Sequence, residues 1–211
     1  MIRLLIVLCF ALTASAEIVD RVAIILGREV ITELQLDEEL RVAAFLNHQP
    51  IVRDLTARRA AADRLVEQFL VRREMEVSRY PLPDEEDLSK YFEQIRSGFG
   101  NAAEFAQELA RFGLTESTLR DHLALQLTTL QFIEFRFQPE IDVSNEEIRT
   151  SYEREIAAWK ATHTGAAPTF EASRESIRRA LIEQRIDRAL DAWLQERRRR
   201  VHIVYVDASL Q

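Results

Sequence analysis

The chain is poor in the residues that punctuate β structure and that crosslink small domains. It has 5 glycines and 5 prolines in 211 residues, and a single cysteine, Cys9. So few glycines cannot serve the many tight turns of a large all-β domain. One cysteine excludes a disulfide framework and a tetrahedral sulfur metal site. No two of the four histidines, His48, His122, His163 and His202, stand at His-Glu-x-x-His spacing. Neither a G-x-S-x-G elbow nor a glycine-rich phosphate loop occurs. The residues therefore nominate no metal, no cofactor and no catalytic group. The apolar run Leu4–Leu12 falls well short of the ~20 residues that a membrane-spanning helix needs.

What is present describes a globular chain. It is 47% hydrophobic and 30% charged, which excludes intrinsic disorder and collagen-like architecture. Its first residues have a separate purpose. Met1-Ile2-Arg3 is a short basic start, Leu4–Leu12 is the apolar run, and Ala14-Ser15-Ala16 is an A-x-A cleavage site. This is the pattern of a secretory signal peptide over residues 1–16, cleaved after Ala16. The remaining chain, 17–211, is expected to form one domain with no cysteine and no membrane span. Its net charge, −7 for the whole chain, becomes one unit more negative without Arg3. An exported acidic protein is a poor partner for nucleic acid. The basic run Arg197–Arg200 reads as the solvated end of a helix, where cations favour the helix dipole.

Hydrophobic periodicity then gives a mainly α fold with a strand at each end. Ile18–Leu26 is β-branched and apolar, Gly27-Arg28-Glu29 reads as a turn, and Val30-Ile31 returns as a short strand. Thr32-x-x-Gln35 is a capping box that opens a helix to about Asn47. A second helix spans about Asp54 to Arg79, with Leu65, Val66, Phe69, Leu70 and Val77 as its core face; Tyr80-Pro81-Leu82-Pro83 stops it. Asp84, Asn101 and Thr115 start three more, the last running to about Phe137. Ser144-x-x-Glu147 is a second capping box, Ala161–Thr169 is a loop, and a long helix covers about 171–199. Residues 201–206 close as a strand. An isolated strand is unstable, so the two chain ends must meet in a small sheet. The helices of 33–160 form one packed unit with it, or a compact base with a projecting hairpin.

The aromatics carry the functional signal. In the fifth helix Leu119, Leu123, Leu127, Leu130 and Phe137 share one face, while Leu125, Phe132 and Phe135 lie elsewhere on the wheel. A helix apolar on more than one face is central in a core, or covers two surfaces. An exposed apolar face would line a groove for an apolar partner. Phe92, Ile95, Phe99, Phe105, Phe112, Leu125, Phe132 and Phe135 are the pool from which such client-binding residues are expected, although a helical core uses the same residue types.

Three segments resemble the SurA-type periplasmic chaperones. Residues 17–32, Glu17-Ile18-Val19-Asp20-Arg21-Val22-Ala23-Ile24-Ile25-Leu26-Gly27-Arg28-Glu29-Val30-Ile31-Thr32, are similar to that family's mature start, a "VDRIVAVVNDEVIT"-like strand-turn-strand before its first helix. Val143-Ser144-Asn145-Glu146-Glu147-Ile148 with Tyr152 is similar to a "V-(S/T)-x-E-E-(I/V)-x-x-Y" segment. Phe170 through Val206 resembles the closing helix and strand, with Trp193-Leu194-Gln195-Glu196-Arg197-Arg198 and Ile203-Val204-Tyr205 at the matching positions. The segments occur in the family's order. Between the second and third, many members carry parvulin-type prolyl isomerase modules; here only the stretch Glu153–Ala172 is available, too short for one.

The resemblance implies the chaperone core without enzymatic activity. It implies a periplasmic, ATP-independent holdase for unfolded or partly folded outer-membrane and exported proteins. Such a protein binds aromatic-rich segments in an apolar groove and uses no cofactor. Two other readings stay open: a subunit dedicated to docking one folded partner, and a prolyl isomerase homologue with a degenerate or partner-supplied site. A monomer and a homodimer, including one with exchanged segments, are equally compatible with the sequence.

Overall fold

A computed structural model describes residues 20–211; the expected signal peptide and Glu17–Val19 lie outside the described residues. The chain is mainly α with a small three-stranded antiparallel sheet. Strand β1 (Val22–Leu26) and strand β2 (Glu29–Thr32) form a hairpin. Gly27 turns it with φ 64°, a left-handed value that glycine adopts without steric cost. Strand β3 (Ile203–Tyr205) pairs with the free edge of β1, matching Ile24 with Tyr205, Ile25 with Val204 and Leu26 with Ile203. The chain ends therefore meet as their isolated strand patterns required.

Seven α-helices lie between β2 and β3, each started by a side chain that accepts a backbone N–H. Thr32 caps α1 (Glu33–Leu46), Asp54 caps α2 (Leu55–Ser78) and Asp84 caps α3 (Glu85–Arg96). Asn101 caps α4 (Ala102–Arg111) and Thr115 caps α5 (Glu116–Arg136). Ser144 caps α6 (Asn145–Thr162), and Thr169 caps α7 (Phe170–Arg200). Both expected capping boxes are closed, at Thr32/Gln35 and Ser144/Glu147. Each cap satisfies donors that the first helical turn leaves without partners. Two short 3-10 turns, Gln138–Glu140 and Ala208–Leu210, have no counterpart in the sequence reading. The second turns Leu210 into the core beside the sheet.

Four apolar clusters hold the described residues together. The first packs Ile24 and Leu26 of the sheet against Leu36 and Leu40 of α1, Val66 and Leu70 of α2, and Leu194 of α7. The second is built around Phe45 near the end of α1. Its ring stacks on Phe99 at 5.4 Å and meets Phe105 and Phe112 edge-on at 6.1 and 5.8 Å. The third joins Val71 and Met75 of α2 to Phe132 of α5, with Trp193 of α7 at 4.7 Å from the Phe132 ring. The fourth, Val143, Ile148 and Ile177, zips α6 onto the first half of α7.

Helix α5 serves two of these clusters with opposite faces. Its first half buries Leu119 and Leu123 in the Phe45 cluster; its second half buries Phe132 against α2 and α7. Leu123 and Phe132 are nine positions apart, a rotation of about 180° at 3.6 residues per turn. Of the two alternatives open from sequence, α5 is thus the helix that covers two surfaces.

Three expectations change. Val77 is 73% exposed and takes no part in the α2 core face, because α2 ends one residue later and the chain leaves toward Tyr80. Leu130 faces solvent although it shares a wheel face with Leu119 and Leu123, because α5 has changed its packing side by that point. Arg197 and Arg198 are not a freely solvated helix end. Arg197 pairs with Glu74 at 2.9 Å, and Arg198 with Asp63 and Glu67 at 3.0 and 3.1 Å, which ties α7 along α2.

Candidate functional site

The side chains that α1, α2, α3 and α5 turn toward one another enclose a cleft of about 500 Å³. Helix α1 supplies Glu39, Ala43 and Leu46, followed by its cap Asn47; α2 supplies Arg64, Glu67 and Gln68. Tyr91 comes from α3, and Gln126, Thr129 and Leu130 from α5. Within α1 these positions are three, four or seven apart, one stripe of the helix; α2 and α5 each add an adjacent pair, Glu67-Gln68 and Thr129-Leu130. The cleft exists because α5 has rotated its packing face away here, leaving Leu130 52% exposed.

Its lining joins Ala43, Leu46, Tyr91 and Leu130 to charged, amide and hydroxyl side chains. Glu39 is 4% exposed, and Arg64 Nε donates to its Oε1 at 2.6 Å. His122 Nδ1 lies 3.0 Å from the Thr118 carbonyl oxygen, and its Nε2 faces Glu39 Oε2 at 3.7 Å. Burial raises the Glu67 carboxyl above the usual carboxylate range, against the opposing pull of Arg198. Tyr91 donates its hydroxyl to Gln126 Oε1 at 3.3 Å, and the Thr129 hydroxyl is spent on Leu125 O at 3.1 Å. Gln68 Oε1 is buried and accepts no hydrogen bond among the described residues.

Three further hollows share walls with this cleft: the smallest, about 220 Å³, shares only Gln68, and two are larger. One of about 450 Å³ lies between α1 and α2 and shares Ala43, Asn47 and Arg64. The other, of about 340 Å³, lies between α3 and α5 and shares Tyr91 and Leu130. It adds Asp87, Lys90, Gln94, Leu127, Gln131 and Glu134. The two larger hollows flank the cleft on two sides, an arrangement that fits an elongated ligand better than a compact one.

None of the eight residues expected from sequence lines the main cleft. Phe92, Phe105, Phe112 and Phe132 are buried. The first three stand in the Phe45 cluster, and Phe132 packs against Trp193. Ile95 and Phe99 are half-buried on the rim of the Phe45 cluster, and Leu125 is half-buried in the small hollow beside Phe69. Phe135 is 41% exposed and stacks on Tyr80 at 6.1 Å, near the exposed Leu82 of the following loop in sequence. The physical reason is geometric. Phenyl rings build edge-to-face clusters that close on themselves, and the surface left for a ligand falls to smaller or polar-tipped residues. Leu130 and Tyr91 were visible in the helical pattern but stood among core positions; Arg64 gave no sequence signal.

A second uncovered surface is the outer face of the sheet. Ile25 is paired with Val30 on one side and Val204 on the other, so the three form one row, with Val22 and Val206 exposed beyond it. Among the described residues no group of three or more His, Cys, Asp or Glu side chains is placed to hold a metal ion. No described helix is long and apolar enough to cross a membrane.

No protein-family model matches the chain, and no curated protein is significantly similar to it.

Proposed function

We propose that this protein is an exported, ATP-independent holdase that keeps unfolded or partly folded periplasmic and outer-membrane clients from aggregating. The observation that carries the reading is the cleft among α1, α2, α3 and α5, with Leu130 and Tyr91 in its lining beside charged and amide groups. Such a surface takes apolar side chains and leaves main-chain amides something to bond, as extended polypeptide requires. The resemblance of residues 17–32, 143–152 and 170–206 to SurA-type chaperones supports the same reading. Binding alone is asked of the site: it acts by occupancy and release, with no cofactor and no bond made or broken.

The test is light scattering of an unfolded outer-membrane β-barrel protein diluted into buffer with the chain lacking residues 1–16. Scattering falls without ATP at equimolar or few-fold excess chain, and Leu130→Asp abolishes the effect while helicity is unchanged. A folded chain that leaves scattering untouched overturns the reading.

One observation favours a second reading, a subunit dedicated to one folded partner. The Val30–Ile25–Val204 row is apolar and crosses all three strands, which suits a fixed interface better than varied clients. A single protein bound stoichiometrically, and lost on Val204→Asp, would select it.

A further inference from the structure

The holdase reading leaves the chemistry of the bound segment unspecified, and the hollow between α3 and α5 supplies it. Asp87 and Glu134 both line that hollow, and neither is paired with a cation among the described residues. Asp87 instead accepts from Gln131 Nε2 at 3.4 Å, which leaves Gln131 Oε1 as a buried acceptor with no partner. The one cation of the lining, Lys90, pairs with Glu86 at 2.6 Å. The lining thus sets two carboxylates without a cation against one lysine that is already paired, beside the neutral amides of Gln94 and Gln131. Lysine ammonium and arginine guanidinium groups bring several donors and no acceptor. The neighbouring main cleft, across Tyr91 and Leu130, takes an apolar side chain.

Resting on the holdase reading, we infer that the site selects an extended polypeptide segment in which an apolar side chain is flanked by lysine or arginine. The apolar group occupies the main cleft, and the cation sits between Asp87 and Glu134. The spacing follows from the helix. Leu130 and Glu134 are four residues apart, about 6 Å along α5, which is the rise of about two residues of extended chain. The preferred segment therefore carries its cation two positions from its apolar anchor. Charge complementarity sets the preference, and the apolar contact supplies the common affinity.

The test uses fluorescence anisotropy with fluorescein-labelled nine-residue peptides in serine and glycine, centred on one phenylalanine. Lysine stands two positions to either side in one peptide and glutamate in the other, so chain direction does not matter. The lysine peptide binds at least tenfold more tightly, and the gap shrinks in 0.5 M salt, since exposed charge interactions are screened. D87N/E134Q closes most of the gap, whereas E153Q/E183Q, which removes two charges on α6 and α7, leaves it intact. Equal binding of the two peptides, or equal effects of the two double variants, overturns the inference while the holdase reading stands. If neither peptide binds and aggregation is also unaffected, both fall. Helicity of each variant is checked by circular dichroism.

Discussion

Arg64 Nε lies 2.6 Å from Oε1 of Glu39, a carboxylate almost wholly withdrawn from solvent while its partner stays 42% exposed. The pair joins α1 to α2 under the main cleft, and the cost of removing one member is set by what the other is left to do. Arg64→Met strands a buried carboxylate and is expected to cost about 2–3 kcal/mol, at the low end for a broken buried pair because Arg64 is partly screened by water. Adding Glu39→Gln to Arg64→Met recovers part of that loss. Urea unfolding of both single variants and the double variant measures the coupling.

The Phe45 cluster and Leu130 separate stability from binding. Phe45→Ala removes the ring against which Phe99, Phe105 and Phe112 all pack, at an expected cost of about 3–5 kcal/mol. Leu130→Ala, on an exposed wall, changes stability by no more than about 0.5 kcal/mol and weakens peptide binding. Thermal unfolding beside anisotropy checks both. A Leu130→Ala variant that unfolds early would place that side chain in the core.

Acid should loosen the chain's last turn. Asp207 accepts from Ser209 Oγ at 2.6 Å, from Ser209 N at 2.8 Å and from Arg58 Nη2 at 2.6 Å. The Ser209 hydrogen bonds first, and then Arg58, hold its carboxyl well below the usual carboxylate range. A group whose folded pKa is depressed contributes stability that is present above its unfolded value, about pH 4, and is lost as pH falls further. Wild type therefore loses stability below about pH 4 more steeply than Asp207→Asn, which is weaker by about 1–2 kcal/mol at pH 7. Unfolding midpoints between pH 2.5 and 7 measure this, and parallel curves would remove Asp207 as the cause.

Gly27 should reject alanine for a backbone reason alone. Nothing lies within 4 Å of a Cβ built there, but φ is 64°. Gly27→Ala costs about 1 kcal/mol, and Gly27→Asn less, because asparagine tolerates the left-handed region. An equal cost for both, by denaturant unfolding, would point to a steric cause.

These expectations rest on elements that the sequence announced to very different degrees. Helix starts were legible because caps are local chemistry: Thr32, Asp54, Asp84, Asn101, Thr115 and Ser144 each accept a nearby N–H where their residue type proposed it. The meeting of β1 and β3 was legible because the strand at 201–206 had no partner other than the strands at the other end of the chain. The cleft was not. Periodicity tells which residues are apolar, not which neighbour a helix face will meet, so the change of packing side along α5 between Leu123 and Phe132 was invisible. That change makes Phe132 core and Leu130 surface. The ties from Arg197 and Arg198 to α2 likewise depend on residues more than 120 positions away in the chain.

The pairing of Ile24 with Tyr205 joins positions about 180 residues apart. Helices can form as soon as their own residues are available, on the microsecond scale, but β1 has a free edge until residues 203–205 arrive. A chain emerging from its N terminus therefore passes through a long interval in which its central strand is open on one side and Leu26 and Ile24 lack their cover. Closure of the sheet is the late, slow event of folding, since distant pairings carry the largest loop-closure cost. Until that strand docks, this protein carries the same hazard of open-edge association that unfolded chains present.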